Sequence, residues 1–307
     1  LTWVSDIASV IQCGFTPKFV DIDMNNLAMN TDLIINAISK KTVAVFLSHI
    51  QGFNGLNKKL LSHLKNKKIP LIEDVCESHG AKFNKKKCGS FGIMSNFSFY
   101  YAHHISTIEG GMVCTNNKSI YLQARMIRAH GLLRESKDIN FIKKNIIKYK
   151  KLNSDFIFLY AGYNMRNNEI GGILGNSQLQ RLDKIVIQRN KNHEYFLNNI
   201  DKSKFKVDFD IKGASNYAFN LILKEKNSIL LNKIKKNLKR NNIEYRQGSA
   251  GGGNQIIQPY IKDISIKYNK GEFPIIEHVH NYSFYIGNYP SLSKKDIDFI
   301  CKVINEA

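Results

Sequence analysis

Two adjacent histidines, His103 and His104, follow an apolar, aromatic run from Phe97 to Tyr101 that reads as a buried strand. Glu109-Gly110-Gly111 then turns the chain into a second short strand at Met112-Val113-Cys114. Ligands of open α/β sheets gather beyond the ends of such strands. An imidazole there titrates near neutral pH and can take up or give back a proton. The same pair also suits two polar loop residues. A second cluster lies upstream, where the apolar run from Ile69 to Glu73 ends in Asp74 and His79 follows five positions on (79 − 74). Asp74 reads either as a helix cap or as an acid in the same site, 29 positions before His103 (103 − 74). Arg166 carries a planar fork suited to carboxylate or phosphate, or to an ordinary ion pair with Glu169.

These side chains need a frame, and the order of elements supplies one. Leu1 to Gly14 has apolar residues at helical spacing (Val4, Ile7, Ala8, Ile11) and stops at a glycine. Strand patterns follow at Lys18 to Asp23, Thr42 to Ser48 and Ile69 to Glu73, with helices at Thr31 to Ser39 and Leu56 to Lys65 between them. Alternation of this kind predicts a mainly parallel sheet flanked by helices. Lys82 to Gly92 reads as a hairpin-like excursion, Lys118 to His130 as a helix, and Glu135 to Leu159 as a polar, mobile excursion. Asn168 to Ile200 reads as one long helix, kinked or capped around Gly171-Gly172. Beyond about residue 190 the pattern changes to a smaller α+β domain, with a strand at Ala218 to Leu223 and helices at Ser228 to Asn241 and Lys294 to Asn305. The expected division is therefore a large domain over 1–190 and a small one over 191–307.

Bulk properties narrow the function classes. The 307 residues are 43% hydrophobic, which suits a globular chain with a sizeable core. No run of about 18 apolar residues suggests a membrane span; a cytoplasmic protein is expected, and a leader is not judged from a chain whose start is missing. The chain opens on Leu1, in mid-element, and reads as a fragment incomplete at its N-terminus. The net charge of +20 is mostly lysine in polar stretches, read as solvated surface whose positive potential would also draw in an anionic substrate. No nucleic-acid-binding signature accompanies it. The five cysteines (Cys13, Cys76, Cys88, Cys114, Cys301) are scattered and include no C-x-x-C, which argues against a disulfide framework or a metal site.

Five separated blocks resemble the DegT/DnrJ/EryC1/StrS family of vitamin B6-dependent sugar aminotransferases. They are L-T-W-V with C-G (Leu1 to Gly14), E-D-V-C-E-S-H-G (Glu73 to Gly80), the S-F-Y-Y-A-H-H-I…E-G-G run (Ser98 to Gly111), G-Y-N-M-R-N-N-E (Gly162 to Glu169) and the glycine-rich Arg246 to Tyr260. The resemblance implies aminotransferase fold type I and pyridoxal 5'-phosphate (PLP) or its pyridoxamine form (PMP). It implies that Asp74 meets the pyridine nitrogen and that Trp3 stacks on the ring, although composition alone reads Trp3 as a core aromatic. His79 would pack near the ring, Ser98 would bond the phosphate, and Asn164 would reach the cofactor phosphate of the neighbouring subunit of a homodimer. Arg166, Arg246 and Asn254 would line the substrate site. A Gly-Ser pair that binds phosphate in the family would precede Leu1.

The family places a lysine where this chain has His103. That exchange, with the A-H-H-I run (Ala102 to Ile105), resembles the family's sugar-nucleotide 3-dehydratase branch. An imidazole cannot make the lysine's covalent link, so the cofactor would be held without a bond and His103 would act as base. The implied reaction removes the C3 hydroxyl of a nucleotide-linked 4-keto-6-deoxyhexose, with L-glutamate as amino donor. The resemblance also leaves open an aminotransferase relative with altered or lost activity, and a non-enzymatic regulator. A related branch carries an iron–sulfur cluster on cysteines in the interval corresponding to Thr115 to Tyr163; that interval has no cysteine here, so no cluster is expected.

Overall fold

A computed structural model describes residues 1–262, 268–269 and 271–307. The chain begins with helix α1 (Val4–Gln12), whose face buries Ile7 and Asp6. Gly14 beyond it adopts φ 77°, a left-handed position that only glycine takes without strain. Helix α2 (Thr31–Ala37) is capped by Asn30, and strand β1 (Val45–Ser48) follows. Helix α3 (Lys58–Lys67) is capped by Asn57 and leads to strand β2 (Leu71–Asp74). Then come the small hairpin β3 (Lys82–Phe83) and β4 (Lys86–Lys87), and strands β5 (Met94–Ser98) and β6 (Gly111–Cys114).

The main sheet has the order β1-β2-β5-β6. β1, β2 and β5 run parallel, and β6 closes the edge antiparallel to β5. Register pairs Ser48 with Asp74 and Asp74 with Asn96, so three polar residues lie side by side at the carboxyl ends of the parallel strands. Glu73 and Asp74, adjacent in β2, point to opposite faces because successive strand residues alternate. Glu73 is spent on structure: its carboxylate accepts from the backbone of Gly89 (2.7 Å), Phe91 (2.7 Å) and Gly92 (2.6 Å) and contacts His49 Nε2 at 3.2 Å. It ties the turn before β5 to the sheet, and only Asp74 is left for the site.

The chain continues through helices α4 (Lys118–Ile127), α5 (Ile139–Lys148), α6 (Glu169–Leu179) and α7 (Leu182–Asn199). Strand β7 (Ala218–Ile222), helix α8 (Ser228–Arg240), strand β8 (Arg246–Gln247), the single turn α9 (Pro259–Lys262), helix α10 (Pro274–Tyr282), strand β9 (Ser283–Gly287) and helix α11 (Lys294–Asn305) complete it. These strands form a second, antiparallel sheet, β7-β9-β8. One apolar cluster lies under the parallel sheet (Val45, Leu47, Leu60, Leu71, Val75). A larger one joins Ile22, Leu27 and Phe53 to Phe196, Phe219, Phe284 and Ile304.

Several sequence expectations shift. Lys18 to Asp23 forms no strand, only an isolated bridge from Ile22 to Met29, because Asp21 turns its carboxylate to cap α10 through Ile275 and Ile276. The Phe97 strand lies earlier, at Met94–Ser98, and its aromatic end is half-buried with Tyr101 exposed. The Glu135 to Leu159 stretch contains the amphipathic helix α5, capped by Asp138. The long helix breaks at Gln180–Arg181 into α6 and α7. Gly171 and Gly172 sit in the first turn of α6 after the Asn168 cap, where amide groups lack helical partners and a glycine costs least.

Candidate functional site

The site lies at the carboxyl edge of the parallel sheet and has two walls. The first is acidic. Asp74 ends β2 and is buried. Its Oδ1 accepts from Cys76 N (2.9 Å) and Asn96 Nδ2 (2.8 Å), a turn that fixes the carboxyl at the strand end and answers the helix-cap alternative. Burial raises its pKa. Beside it stands Asp6, from the first turn of α1, also buried. Asp6 Oδ2 accepts from the Thr2 hydroxyl and, at 2.5 Å, from Ser48 Oγ. Burial and then the charge of Asp74 push its pKa up to about 7. Glu77, accepting from Gln51 N at 3.0 Å, is raised to about 7 by burial.

The second wall is made of imidazoles. His79 is buried, and neither ring nitrogen has a hydrogen-bond partner. Its ring lies 5.6 Å from Phe97, 6.0 Å from Phe99 in a stacked arrangement, 6.3 Å from His103 and 5.9 Å from His104. His103 sits between Tyr100 and Tyr217, each with its ring centroid 5.6 Å away, and its Nδ1 is buried without a partner. His104 is committed, its Nε2 bonding Ser215 O at 3.0 Å. Burial lowers all three: His79 to about 3, His103 to about 4, and His104 well below its usual value. Arg189 adds to this. Its buried guanidinium lies 5.8 Å from the Tyr217 ring centre, donates to the carbonyls of Tyr217 and Asn288, and disfavours a second positive charge on the histidines. At neutral pH the wall is uncharged.

Neutral imidazoles, orphaned ring nitrogens and an acid pair at the strand ends fit a flat, aromatic, anionic group such as PLP. Asp74 would meet a basic ring nitrogen of such a group, and the aromatic wall (Phe97, Phe99, His79) would offer dispersion contact. Ser98 is half-buried at the end of β5, its Oγ accepting from Tyr100 N at 3.2 Å.

The other sequence-derived residues fall at several places. Trp3 is 59% exposed, so it is no core aromatic. It precedes α1, and the adjacent Thr2 bonds Asp6 and Ser48, which brings Trp3 to the edge of the acidic wall. The glycine-rich stretch packs on the same point. A side chain at Gly251 (φ 59°) would meet the Thr2 carbonyl at 2.1 Å, so only glycine permits that approach. Asn254 spends Oδ1 on Ile256 N (3.0 Å) as a turn cap. Arg246 pairs with Glu244 at 2.9 Å and lies close enough to Tyr100 to influence its titration. Asn164 and Arg166 are exposed, and Arg166 makes no ion pair with Glu169 among the described residues. Asn164 forms an isolated bridge with Ala129.

Sequence reasoning missed Asp6, Ser48, Glu77, Arg189 and Tyr217. None left a local signal: the apolar spacing of α1 (Val4, Ile7, Ala8, Ile11) puts Asp6 on the opposite, polar side, yet the structure buries it.

Three comparisons bear on this geometry. The model of the DegT/DnrJ/EryC1/StrS aminotransferase family matches residues 1–305. A GDP-4-keto-6-deoxy-D-mannose 3-dehydratase of Escherichia coli O55:H7 is 31% identical, covering 99% of this chain and 78% of that protein. A GDP-perosamine synthase of Escherichia coli O157:H7 is 27% identical over 100% of this chain and 77% of that one. Among solved structures, a GDP-4-keto-6-deoxymannose-3-dehydratase with a trapped PLP-glutamate geminal diamine superposes with a TM-score of 0.88 at 28% identity, over 99% of this chain and 78% of the other.

Proposed function

From its membership of the DegT/DnrJ/EryC1/StrS aminotransferase family, to which this chain belongs, we propose that it is a PLP/PMP-dependent sugar-nucleotide 3-dehydratase. It removes the C3 hydroxyl of a nucleotide-linked 4-keto-6-deoxyhexose. The observation that carries the reading is an uncharged, partly buried imidazole at position 103, where the family resemblance implies a lysine in the aminotransferases. Similarity to two GDP-4-keto-6-deoxy-D-mannose 3-dehydratases favours a GDP-linked hexose. The relative trapped with PLP and glutamate favours L-glutamate as amino donor.

When bound, the cofactor supplies an amine for the sugar ketone and a ring that stores electrons. The chain's own residues do the rest. Asp74 holds the proton on the pyridine nitrogen. His79, Phe97 and Phe99 pack near the ring, and Trp3 covers it from the α1 side. Ser98 bonds the phosphate. His103, kept neutral by burial and by Arg189, would take a proton at the cofactor's C4′ carbon and, as the imidazolium, would give one to the departing C3 hydroxyl. His104, bonded to Ser215, fixes the loop that carries His103. Arg246 and Asn254, with Arg166, face the sugar nucleotide.

A homodimer completes the site in this reading, with Asn164 reaching the partner's cofactor phosphate. Exposed apolar side chains at Met112, Tyr163, Met165, Ile170 and Ile173 support it. We divide the chain into a large domain (1–190) and a small domain (191–307), a reading that the two separate sheets support, with the division inside α7. No described helix is long and apolar enough to cross a membrane, and a cytoplasmic location suits a nucleotide-sugar substrate.

The test is product analysis. The protein is incubated with PLP, L-glutamate and a panel of nucleotide-linked 4-keto-6-deoxyhexoses. Mass spectrometry should find a sugar short of one hydroxyl, with free ammonia. An amino sugar would return the protein to the transaminating members, and no turnover despite cofactor binding would mark an inactive relative.

A further inference from the structure

We propose that Asp6 is a second acid of the cofactor-nitrogen site, pressed against Asp74 so that it sets how firmly Asp74 holds the ring-nitrogen proton. The inference rests on the reading of Asp74 as the partner of the pyridine nitrogen.

The placement is built from three elements. α1 supplies Asp6 and, four positions earlier, Thr2 precedes it; β1 supplies Ser48; β2 supplies Asp74. Ser48 pairs with Asp74 in register, so their side chains leave the sheet on one face, within about 5 Å of each other. Ser48 Oγ reaches up to Asp6 at 2.5 Å and lies 2.8 Å from Thr2 Oγ1, which also bonds Asp6. The two hydroxyls clamp the Asp6 carboxyl within hydrogen-bonding reach of the Asp74 carboxyl. Both bonds that the Asp74 carboxyl receives from the neighbouring amides end on Oδ1.

Two buried carboxyls in contact do not both ionise freely; one proton is shared between them. The groups facing Asp6 are Asp74, Glu77, Cys76 and Tyr260. With Asp6 protonated, its O–H donates to Asp74, draws charge away from it, and weakens its hold on the ring proton. With Asp6 ionised, a second negative charge stands behind Asp74 and the ring proton is held to higher pH. Asp6 moves with pH near 7, so the electron-storing state of the ring is secured on the alkaline side of neutrality.

The experiment follows the ring nitrogen directly, independent of turnover. PMP labelled with 15N in the ring is bound to wild type, Asp6→Asn, Ser48→Ala and Asp74→Asn, and its chemical shift is followed from roughly pH 5.5 to 9.5. In Asp6→Asn the midpoint of ring deprotonation should fall by about one pH unit or more, a tenfold loss of proton affinity. PMP affinity at acid pH should stay within about threefold of wild type, less than 1 kcal/mol. Ser48→Ala frees Asp6 from its clamp and should shift the midpoint the same way by less, a readout that survives if Asp6→Asn folds poorly. An unchanged midpoint in both variants overturns the proposal. Asp74→Asn separates the two levels. If it abolishes ring protonation while Asp6→Asn does nothing, only the role of Asp6 fails. If Asp74→Asn leaves the ring protonated, or wild type binds no PMP, the reading of Asp74 fails and takes this one with it.

Discussion

The two walls of the site are built by the same force with opposite results. Burial raises the pKa of Asp6, Asp74 and Glu77 on one side and lowers that of His79, His103 and His104 on the other. Near neutral pH Asp6 and Glu77 still hold their protons part of the time, whereas the imidazole wall lacks them. Carboxylates fixed elsewhere in the fold do not behave this way. Glu73, one residue from Asp74 and equally buried, stays below its usual range because, against the cost of burial, His49 and the amides of Gly89 and Gly92 satisfy it. What distinguishes the site is therefore burial without full pairing, the condition that leaves a group able to exchange a proton.

The comparison can be broken most sharply at the base. His103→Asn should lower turnover by about 10²- to 10⁴-fold, with cofactor affinity nearly retained, as read by steady-state kinetics and equilibrium binding. His103→Lys should restore a covalent link to bound PLP, trapped by borohydride and detected by mass; no adduct would mean that position 103 does not face the cofactor aldehyde. On the acidic wall, Asp74→Asn removes the charged partner of the ring nitrogen and should weaken PMP binding by roughly 10- to 100-fold, measured by fluorescence titration.

A smaller effect sharpens the opposition of the walls. The histidines have folded pKa values below 6.5, so acidification through 6.5 protonates the unfolded chain first and costs stability, until the folded values near 4 and 3 are passed. Asp6 and Glu77, raised to about 7, act in the other direction: their cost to the fold disappears as pH falls from 7 toward their unfolded values. Wild type should therefore show a shallow dependence of melting temperature on pH between these limits. Asp6→Asn removes part of the compensating side. Its melting temperature should exceed that of wild type above pH 7 and fall more steeply below it. Parallel curves would mean that Asp6 does not titrate in this range.

The smallest effect belongs to Asn254, whose side chain caps a turn. Asn254→Ala should cost about 1 kcal/mol, roughly 2–4 °C in melting temperature. A rise in KM for the sugar nucleotide beyond that of a Gln255→Ala control would add a substrate contact through its amide group.

The sequence by itself determined the alternation of strands and helices, because apolar period and cap residues are local: Asn30, Asn57 and Ser293 each cap the helix they precede. It also marked His103, Asp74, His79 and Ser98, since these sit at strand ends within recognisable blocks. Tertiary structure alone decided the rest. Lys18 to Asp23 became an irregular segment because Asp21 found a helix end more than 250 residues away. Equivalent neighbours were given different tasks, Glu73 and Asp74 by strand alternation, His103 and His104 by which ring reaches the Ser215 carbonyl. Asp6, Ser48, Arg189 and Tyr217 joined the site from four separate stretches. No local pattern encodes that meeting, because desolvation and pairing depend on what packs around a side chain, and packing is settled only when distant segments close on one another.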